Sequence, residues 1–117
     1  NEAALAAHCR LVLDKGCPNV VAGGTTAEFP SLTLAERKRI TEVVVKSFGG
    51  KVIGHVSATS VQDAIDLCEH AHASGCCAIL LLPPYYFHEC EDEGIEAFLA
   101  SVLKACKLPC FLYNFPK

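Results

Sequence analysis

The sequence contains no methionine and no tryptophan among its 117 residues, and it has only three tyrosines. Because a newly made polypeptide begins with methionine, we expect this chain to be a piece of a longer protein. No apolar run approaches the roughly 20 residues that a membrane-spanning helix needs, and the N-terminus lacks the order of a signal peptide. We therefore expect no membrane association and a cytoplasmic location.

A strong excess of one charge is also missing: 10 Lys and Arg stand against 13 Asp and Glu, for a formal net charge of −3. The densest basic run, Arg37-Lys38-Arg39, lies within a helical pattern. We interpret it as a solvated helix face and expect no nucleic-acid partner. Hydrophobic residues make up 51% of the chain, a share that excludes a disordered segment.

The eight cysteines do not form the pattern of a disulfide framework. Six of them fall on apolar faces of helical patterns or in strand-like runs, namely Cys9, Cys68, Cys106, Cys76, Cys77 and Cys110. Such positions predict reduced cysteines that pack as small hydrophobic residues.

Four strand-like apolar runs alternate with four helical patterns. Strands are predicted over 19–22, 51–56, 77–82 and 109–113, and helices over 3–15, 33–48, 60–74 and 92–106. Two helix starts are well marked, because Thr33 with Glu36 forms a capping box and Ser60 precedes Asp63 at the same spacing. The pattern predicts an α/β domain over residues 1–117, with a parallel sheet covered by helices and right-handed crossovers.

Two architectures contain such a sheet, an open doubly wound fold and a closed (β/α)8 barrel of about 250 residues. This chain begins with a helix that no strand precedes and stops directly after a strand. We therefore expect part of a TIM-type (β/α)8 barrel, with about four of its strand-helix units.

In both architectures ligands bind at the carboxyl ends of the strands. Hydroxyl and phenol side chains stand at all four predicted ends: Thr25 and Thr26, Ser57 and Thr59, Tyr85 and Tyr86, and Tyr113 beside Asn114. All three tyrosines are among them. Without a carboxylate or histidine pair nearby, this set favours carboxylate binding and proton relay over metal hydrolysis or glycoside cleavage.

Each of these residues also has a purely structural interpretation. The Thr25 and Thr26 hydroxyls are of a kind that often satisfies loop backbone groups, and Tyr85 with Tyr86 is typical of an aromatic pair at a rim. For Tyr113 the structural alternative is a single hydrogen bond at the end of a buried strand. For Glu28 a general-base role is the alternative to the preferred interpretation, in which it fixes the loop and complements the helix dipole.

Metal and nucleotide sites have little support in the sequence. His70 and His72 are two residues apart on a helix and point away from each other, while His88 and Cys90 have no second ligand pair. The run from Gly23 to Thr26 lacks the Gly-Lys-Ser/Thr ending of a phosphate loop. We therefore expect no metal and no cofactor.

Three segments in register, GTTAE at Gly24–Glu28, PPYY at Pro83–Tyr86 and YNFP at Tyr113–Pro116, resemble the dihydrodipicolinate synthase and N-acetylneuraminate lyase family. The resemblance covers about half of such a protein. It implies a class I aldolase barrel in which a lysine forms a Schiff base with pyruvate or a related 2-keto acid. In that family the lysine lies one strand beyond the YN-P motif. Lys117 is too close to this motif to be its equivalent.

The resemblance also implies roles for individual residues. Thr26 corresponds to the residue that binds the keto-acid carboxylate, Thr25 to a hydroxyl that links two phenols, and Tyr113 to the acid-base phenol. Tyr86 would complete the relay from a neighbouring subunit, so the site would need at least a dimer, and a dimer of dimers is usual in the family.

The motifs depart from the family pattern at three positions. Ala27 replaces a glycine, Pro83 replaces a common threonine, and Phe115 replaces a smaller aliphatic residue. YNFP leans toward branches that act on 2-keto-3-deoxy sugar acids, whereas GTTAE is closer to the synthases. An N-acetylneuraminate lyase-like enzyme and a non-catalytic relative that serves as an assembly or binding module remain alternatives.

Overall fold

The computed structural model describes residues 1–86 and 89–115. Four α-helices and four β-strands alternate along the chain, with two short 3-10 turns between the first strand and the second helix. Their bounds are α1 Glu2–Asp14, β1 Asn19–Ala22, α2 Leu34–Phe48, β2 Lys51–His55, α3 Val61–Ser74, β3 Ala78–Leu81, α4 Asp92–Ala105 and β4 Cys110–Leu112. The predicted alternation of strands and helices is confirmed.

The helix starts follow the predicted capping residues. The Glu36 backbone N–H donates to the Thr33 hydroxyl, and the Glu36 carboxylate accepts from the Thr33 N–H at 2.9 Å, which completes the capping box of α2. Ser60 accepts in the same way from the Asp63 N–H at the start of α3. These bonds satisfy amides that a first helical turn leaves unused, so the starts are set locally.

The strands form one parallel sheet in the order β1-β2-β3-β4. Since successive side chains of a strand point to opposite faces, the register separates the sheet into two surfaces. We call one the helix-covered face, with Val52, Gly54, Ile79 and Leu81. We call the other the open face, with Val21, Ile53, His55, Leu80 and Phe111.

The helix-covered face carries the hydrophobic core. Ile79 and Leu81 are fully buried and share one cluster with Cys68 of α3 and Val102 of α4. A Cβ on Gly54 would lie 2.9 Å from the Ala71 Cβ and 3.3 Å from the Cys76 Sγ. Gly54 is therefore what lets α3 pack this closely on β2.

The open face is much less covered. Val21 is 45% exposed and Phe111 is 55% exposed, although both are apolar strand residues. His55 on the same face is buried. Cover on this side is thus greatest over the two central strands, where Ala78 is buried as well, and smallest over the edge strands β1 and β4.

Two expectations about single residues are wrong. Arg37 is not part of a solvated helix face, because it is only 5% exposed. It stands four and seven residues before the buried Thr41 and Val44, so the helical period places it on the same inward face as these two residues. Cys77 is not a packed strand residue, because β3 begins one residue later and leaves it exposed.

The other cysteines follow the prediction more closely. Cys9, Cys68 and Cys76 are free and buried. Burial raises the pKa of the Cys76 thiol to about 11, which keeps it protonated at neutral pH. None of the helices in the described part of the chain has the length and hydrophobicity needed to cross a membrane.

Candidate active site at the strand ends

The turn that follows β1 presents the two threonines at the surface. Gly23 has a φ of 71°, a left-handed conformation that glycine adopts without strain. A 3-10 turn over Thr25–Ala27 follows, and both Thr25 and Thr26 are exposed. Within residues 1–86 and 89–115 their hydroxyls form no hydrogen bond. Their predicted alternative role, bonding to the loop backbone, is therefore not observed in the described part.

A cavity of about 490 Å³ opens beside this turn. Its lining includes Thr25 and Thr26 from the first strand end, Leu80 from the open face, and Tyr113 from the fourth strand end. It also runs past the edge strand β1 to apolar side chains of α1 and α2. The volume lies within the range of small-molecule sites, and the fold has thus brought three of the four predicted site residues to one cavity.

Tyr86, the fourth predicted site residue, lies apart from the residues that line this cavity. Its side chain is 72% exposed. Tyr85 is half-buried, with its ring edge-on to Phe29 at a centroid distance of 5.3 Å. Tyr85 therefore packs on the 3-10 turn Phe29–Ser31, which directly follows the turn that carries the threonines.

A buried polar pair lies between the strand ends. The Ser57 Oγ is 2.9 Å from the His55 Nε2, and it accepts a hydrogen bond of 2.8 Å from the Leu82 N–H. Ser57 is fully buried and His55 is 4% exposed. The single O–H of Ser57 has an acceptor in Nε2 when Nδ1 carries the ring proton, and we assign this tautomer to His55.

Arg37, in the first turn of α2, hydrogen-bonds to the backbone of this pair. One guanidinium nitrogen donates to the Ser57 carbonyl at 2.9 Å and another to the His55 carbonyl at 3.0 Å. The guanidinium carbon also stands 5.1 Å from the Phe29 ring centroid, and this ring lies 4.4 Å from the His55 ring. Through these contacts Arg37 ties the start of α2 to the end of β2.

The electrostatics keep His55 neutral. Burial and, to a smaller extent, the positive charge of Arg37 lower the pKa of His55 to about 4, while the backbone of Gly23 acts in the opposite direction. The His55 Nδ1 nevertheless has no hydrogen-bond partner of good geometry among the described residues. A neutral imidazole next to a buried arginine is what such surroundings favour.

The sequence prediction missed His55 and Arg37. Two signals pointed to them. His55 stands two residues before Ser57, which places both on one side of an extended segment, and Arg37 shares the helical stripe of Thr41 and Val44. Ser57 was predicted as a strand-end hydroxyl, and it is at that place but fully buried, whereas Thr59 is exposed.

In the part of the chain that the structure describes, no three His, Cys, Asp or Glu side chains are grouped to hold a metal ion. Glu28 is exposed and adopts a left-handed φ of 56° between the two 3-10 turns. His88, Pro116 of the YNFP segment and Lys117 lie outside the described residues.

Comparison with known proteins identifies relatives over the whole chain. The model of the dihydrodipicolinate synthetase family matches residues 1–117. The 4-hydroxy-tetrahydrodipicolinate synthase of Staphylococcus saprophyticus is 37% identical over 115 residues, which are 97% of this chain and 39% of that protein. The 2-dehydro-3-deoxy-D-gluconate/2-dehydro-3-deoxy-phosphogluconate aldolase of Thermoproteus tenax is 33% identical over 109 residues, 93% of this chain and 35% of the aldolase.

A solved structure extends the likeness to three dimensions. YagE, a prophage protein of E. coli K12 belonging to the dihydrodipicolinic acid synthase family and crystallised with pyruvate, superposes with a TM-score of 0.93 at 25% identity. The superposition covers 99% of this chain and 39% of YagE. The chain thus spans less than half the length of the relatives it matches.

The likeness to barrel structures of this kind confirms the prediction of part of a (β/α)8 barrel. The three motifs that suggested a family from the sequence lie within the matched range. The chain belongs to the dihydrodipicolinate synthetase family.

Proposed function

We propose that the protein containing this chain is a pyruvate-dependent class I aldolase or lyase, which joins a 2-keto acid to an aldehyde or releases the two from each other. The observation that carries the proposal is the meeting of Thr25, Thr26 and Tyr113 at one cavity, although they come from opposite ends of the sequence. The family match over the whole chain supports the same class.

The threonine turn fits the binding of a keto-acid carboxylate. The first amides of a short helical turn are not used inside that turn and point outward, where they attract an anion. Thr26 adds an exposed hydroxyl with no protein partner among the described residues. In the proposed role Thr26 and these amides hold the carboxylate, and Thr25 offers its hydroxyl to the phenol of Tyr113.

Tyr113 is proposed as the acid-base group. When a lysine amine adds to the keto carbon, the carbinolamine must lose water to become an imine, and its hydroxyl needs a proton to leave. Carbon–carbon bond formation then places charge on the aldehyde oxygen, which needs a proton too. A phenol supplies and recovers such protons without a second full charge beside the carboxylate.

Tyr86 and the assembly form a separate part of the proposal. The exposure of Tyr86, 72%, and its absence from the cavity lining of its own chain support a role at the site of a neighbouring subunit. This role needs at least a dimer, and we propose a dimer of dimers.

A second candidate is an aldolase for 2-keto-3-deoxy sugar acids. The chain is 33% identical to the Thermoproteus tenax aldolase and 37% identical to the Staphylococcus saprophyticus synthase. These similar identities support the aldolase activity almost as strongly as the synthase activity. Incubation with 2-dehydro-3-deoxy-D-gluconate distinguishes the two. Release of pyruvate is expected of the aldolase and not of the synthase.

The class itself is tested by reducing the longest native form of the polypeptide with borohydride in the presence of pyruvate. A stable adduct on one lysine beyond Lys117 is expected, and peptide mass mapping locates it. Folded protein that forms no adduct would instead support a non-catalytic binding or assembly module.

A further inference from the structure

His55 and Ser57 form a buried, hydrogen-bonded pair at the end of β2. Neither residue is among those that line the cavity, and His55 has no role in the proposed chemistry. Yet a nearly fully buried histidine and a fully buried serine, each with a hydrogen-bonded side chain, are a costly arrangement in a core. Their contacts indicate what they do.

The first contact reaches the third strand end. Ser57 accepts from the Leu82 N–H, and Leu82 directly precedes Pro83-Pro84. Since proline has no N–H, this is the last backbone donor before Tyr85. The Ser57 hydroxyl therefore anchors the start of the segment that carries Tyr85 and Tyr86.

The second contact reaches the first strand end. The His55 ring packs on Phe29 at 4.4 Å, and Phe29 is the buried residue of the 3-10 turn that follows Thr25–Ala27. Phe29 in turn meets the edge of Tyr85 at 5.3 Å. A closed chain of contacts therefore joins the end of β2, the tyrosine segment and the 3-10 turn that directly follows the threonine turn.

We propose that His55 and Ser57 are positioning residues, which hold the threonine turn and the tyrosine segment at a fixed separation so that both act on one substrate. This inference rests on the proposed function, because that function assigns the two segments to one site. The ring works as a neutral hydrogen-bond acceptor, since a protonated imidazole could not accept from Ser57 and would face Arg37.

The test uses the longest native form of the polypeptide with Ser57→Ala, and Ser101→Ala as the matched control. The Ser101 hydroxyl likewise bonds the backbone, but it donates to the Ala97 carbonyl on the exposed surface of α4. Ser57→Ala is expected to lower kcat about ten- to hundredfold, because displacing a reacting group by roughly 1 Å costs up to about that factor. Pyruvate should still be trapped by borohydride at the wild-type stoichiometry. Wild-type kcat and KM in folded Ser57→Ala would overturn the proposal.

A pair of histidine variants separates the hydrogen bond from ring packing. Both His55→Gln and His55→Asn lose the ring, but only glutamine places an acceptor where Nε2 lies. We expect His55→Gln to be several-fold more active than His55→Asn at temperatures well below both melting points. Equal activities would contradict the assigned bond.

A readout independent of catalysis keeps this inference separate from the proposed function. In Ser57→Ala, amide hydrogen exchange should accelerate in peptides covering 24–29 and 82–86 and stay unchanged in peptides covering 92–105. If the wild type traps no pyruvate, the proposed function fails. Hydrogen exchange then still measures whether His55 and Ser57 hold the two segments in place. Unchanged exchange in the first two peptides would show that the pair does not hold the segments.

Discussion

The two faces of the sheet differ in how far they could be understood without a structure. On the helix-covered face Ile79 and Leu81 are fully buried, and their neighbours are other apolar side chains. On the open face Val21 and Phe111 are about half exposed, while the polar His55 is buried. Hydrophobic burial organises the first face, and specific hydrogen bonds organise the carboxyl end of the second. Stability and function should accordingly respond to different substitutions.

Among variants that weaken substrate binding, the largest effect is expected for Thr26→Val in the turn after β1, which removes one hydroxyl at nearly constant volume. A hydrogen bond to a charged group contributes about 1.5–3 kcal/mol, so the KM for pyruvate should rise about ten- to hundredfold. Steady-state kinetics on the longest native polypeptide measure it. Thr59→Val is the control, because Thr59 is exposed at another strand end and does not line the cavity. Equal KM values for the two variants would remove Thr26 from carboxylate binding.

The next effect concerns pH. His55 has a folded pKa of about 4 against an ordinary value of 6.5, so the unfolded chain binds more protons between these values. Stability from this group is therefore complete above pH 6.5 and falls as pH drops toward 4. Between pH 7 and pH 5 the loss should be about 2 kcal/mol.

Denaturant unfolding at these two pH values measures the loss, and His55→Gln serves as the comparison because glutamine does not titrate. The wild type should lose about 2 kcal/mol more than the variant over this range. An identical pH dependence in both proteins would mean that His55 is not held neutral.

A smaller effect is expected on the helix-covered face. Gly54→Ala places a methyl group 2.9 Å from the Ala71 Cβ, so α3 must shift, at a cost of at least about 1 kcal/mol. Gly94→Ala is the matched control, because its Cβ meets nothing within 4 Å and alanine favours the helix by roughly 0.5–1 kcal/mol. The two alanines should shift the denaturation midpoint in opposite directions, and equal shifts would refute the close packing of β2 and α3.

The elements could be predicted because their signals are local. The capping box of α2 and the glycine that follows α3 set those boundaries from a few neighbouring residues. The strand ends were predicted less well, and β3 is one residue shorter at each end than expected. At one of these ends the Leu82 N–H bonds the Ser57 hydroxyl rather than a strand carbonyl, a long-range contact that no local pattern encodes.

The residues of the candidate site and its surroundings also fall into two groups, those found from local sequence patterns and those that depend on long-range contacts. Thr25, Thr26 and Tyr113 could be found because they follow strands and belong to recognisable motifs. Arg37 was missed although it shares the helical stripe of Thr41 and Val44, because a basic run on a helix is usually solvated and only the tertiary arrangement supplies the two carbonyls that accept its hydrogen bonds. The pair of His55 and Ser57 was missed for the same reason, because its partners are distant in the sequence: Leu82 is 25 residues after Ser57, and Phe29 lies in the turn after β1.

The central claim is that the carboxyl end of the open face performs the chemistry, and Tyr113→Phe in the longest native polypeptide tests it most directly. This change removes the phenol oxygen and keeps the ring that packs near Phe115. The account predicts that kcat falls by about two orders of magnitude or more while the melting temperature stays near that of the wild type. An unchanged kcat would contradict the claim.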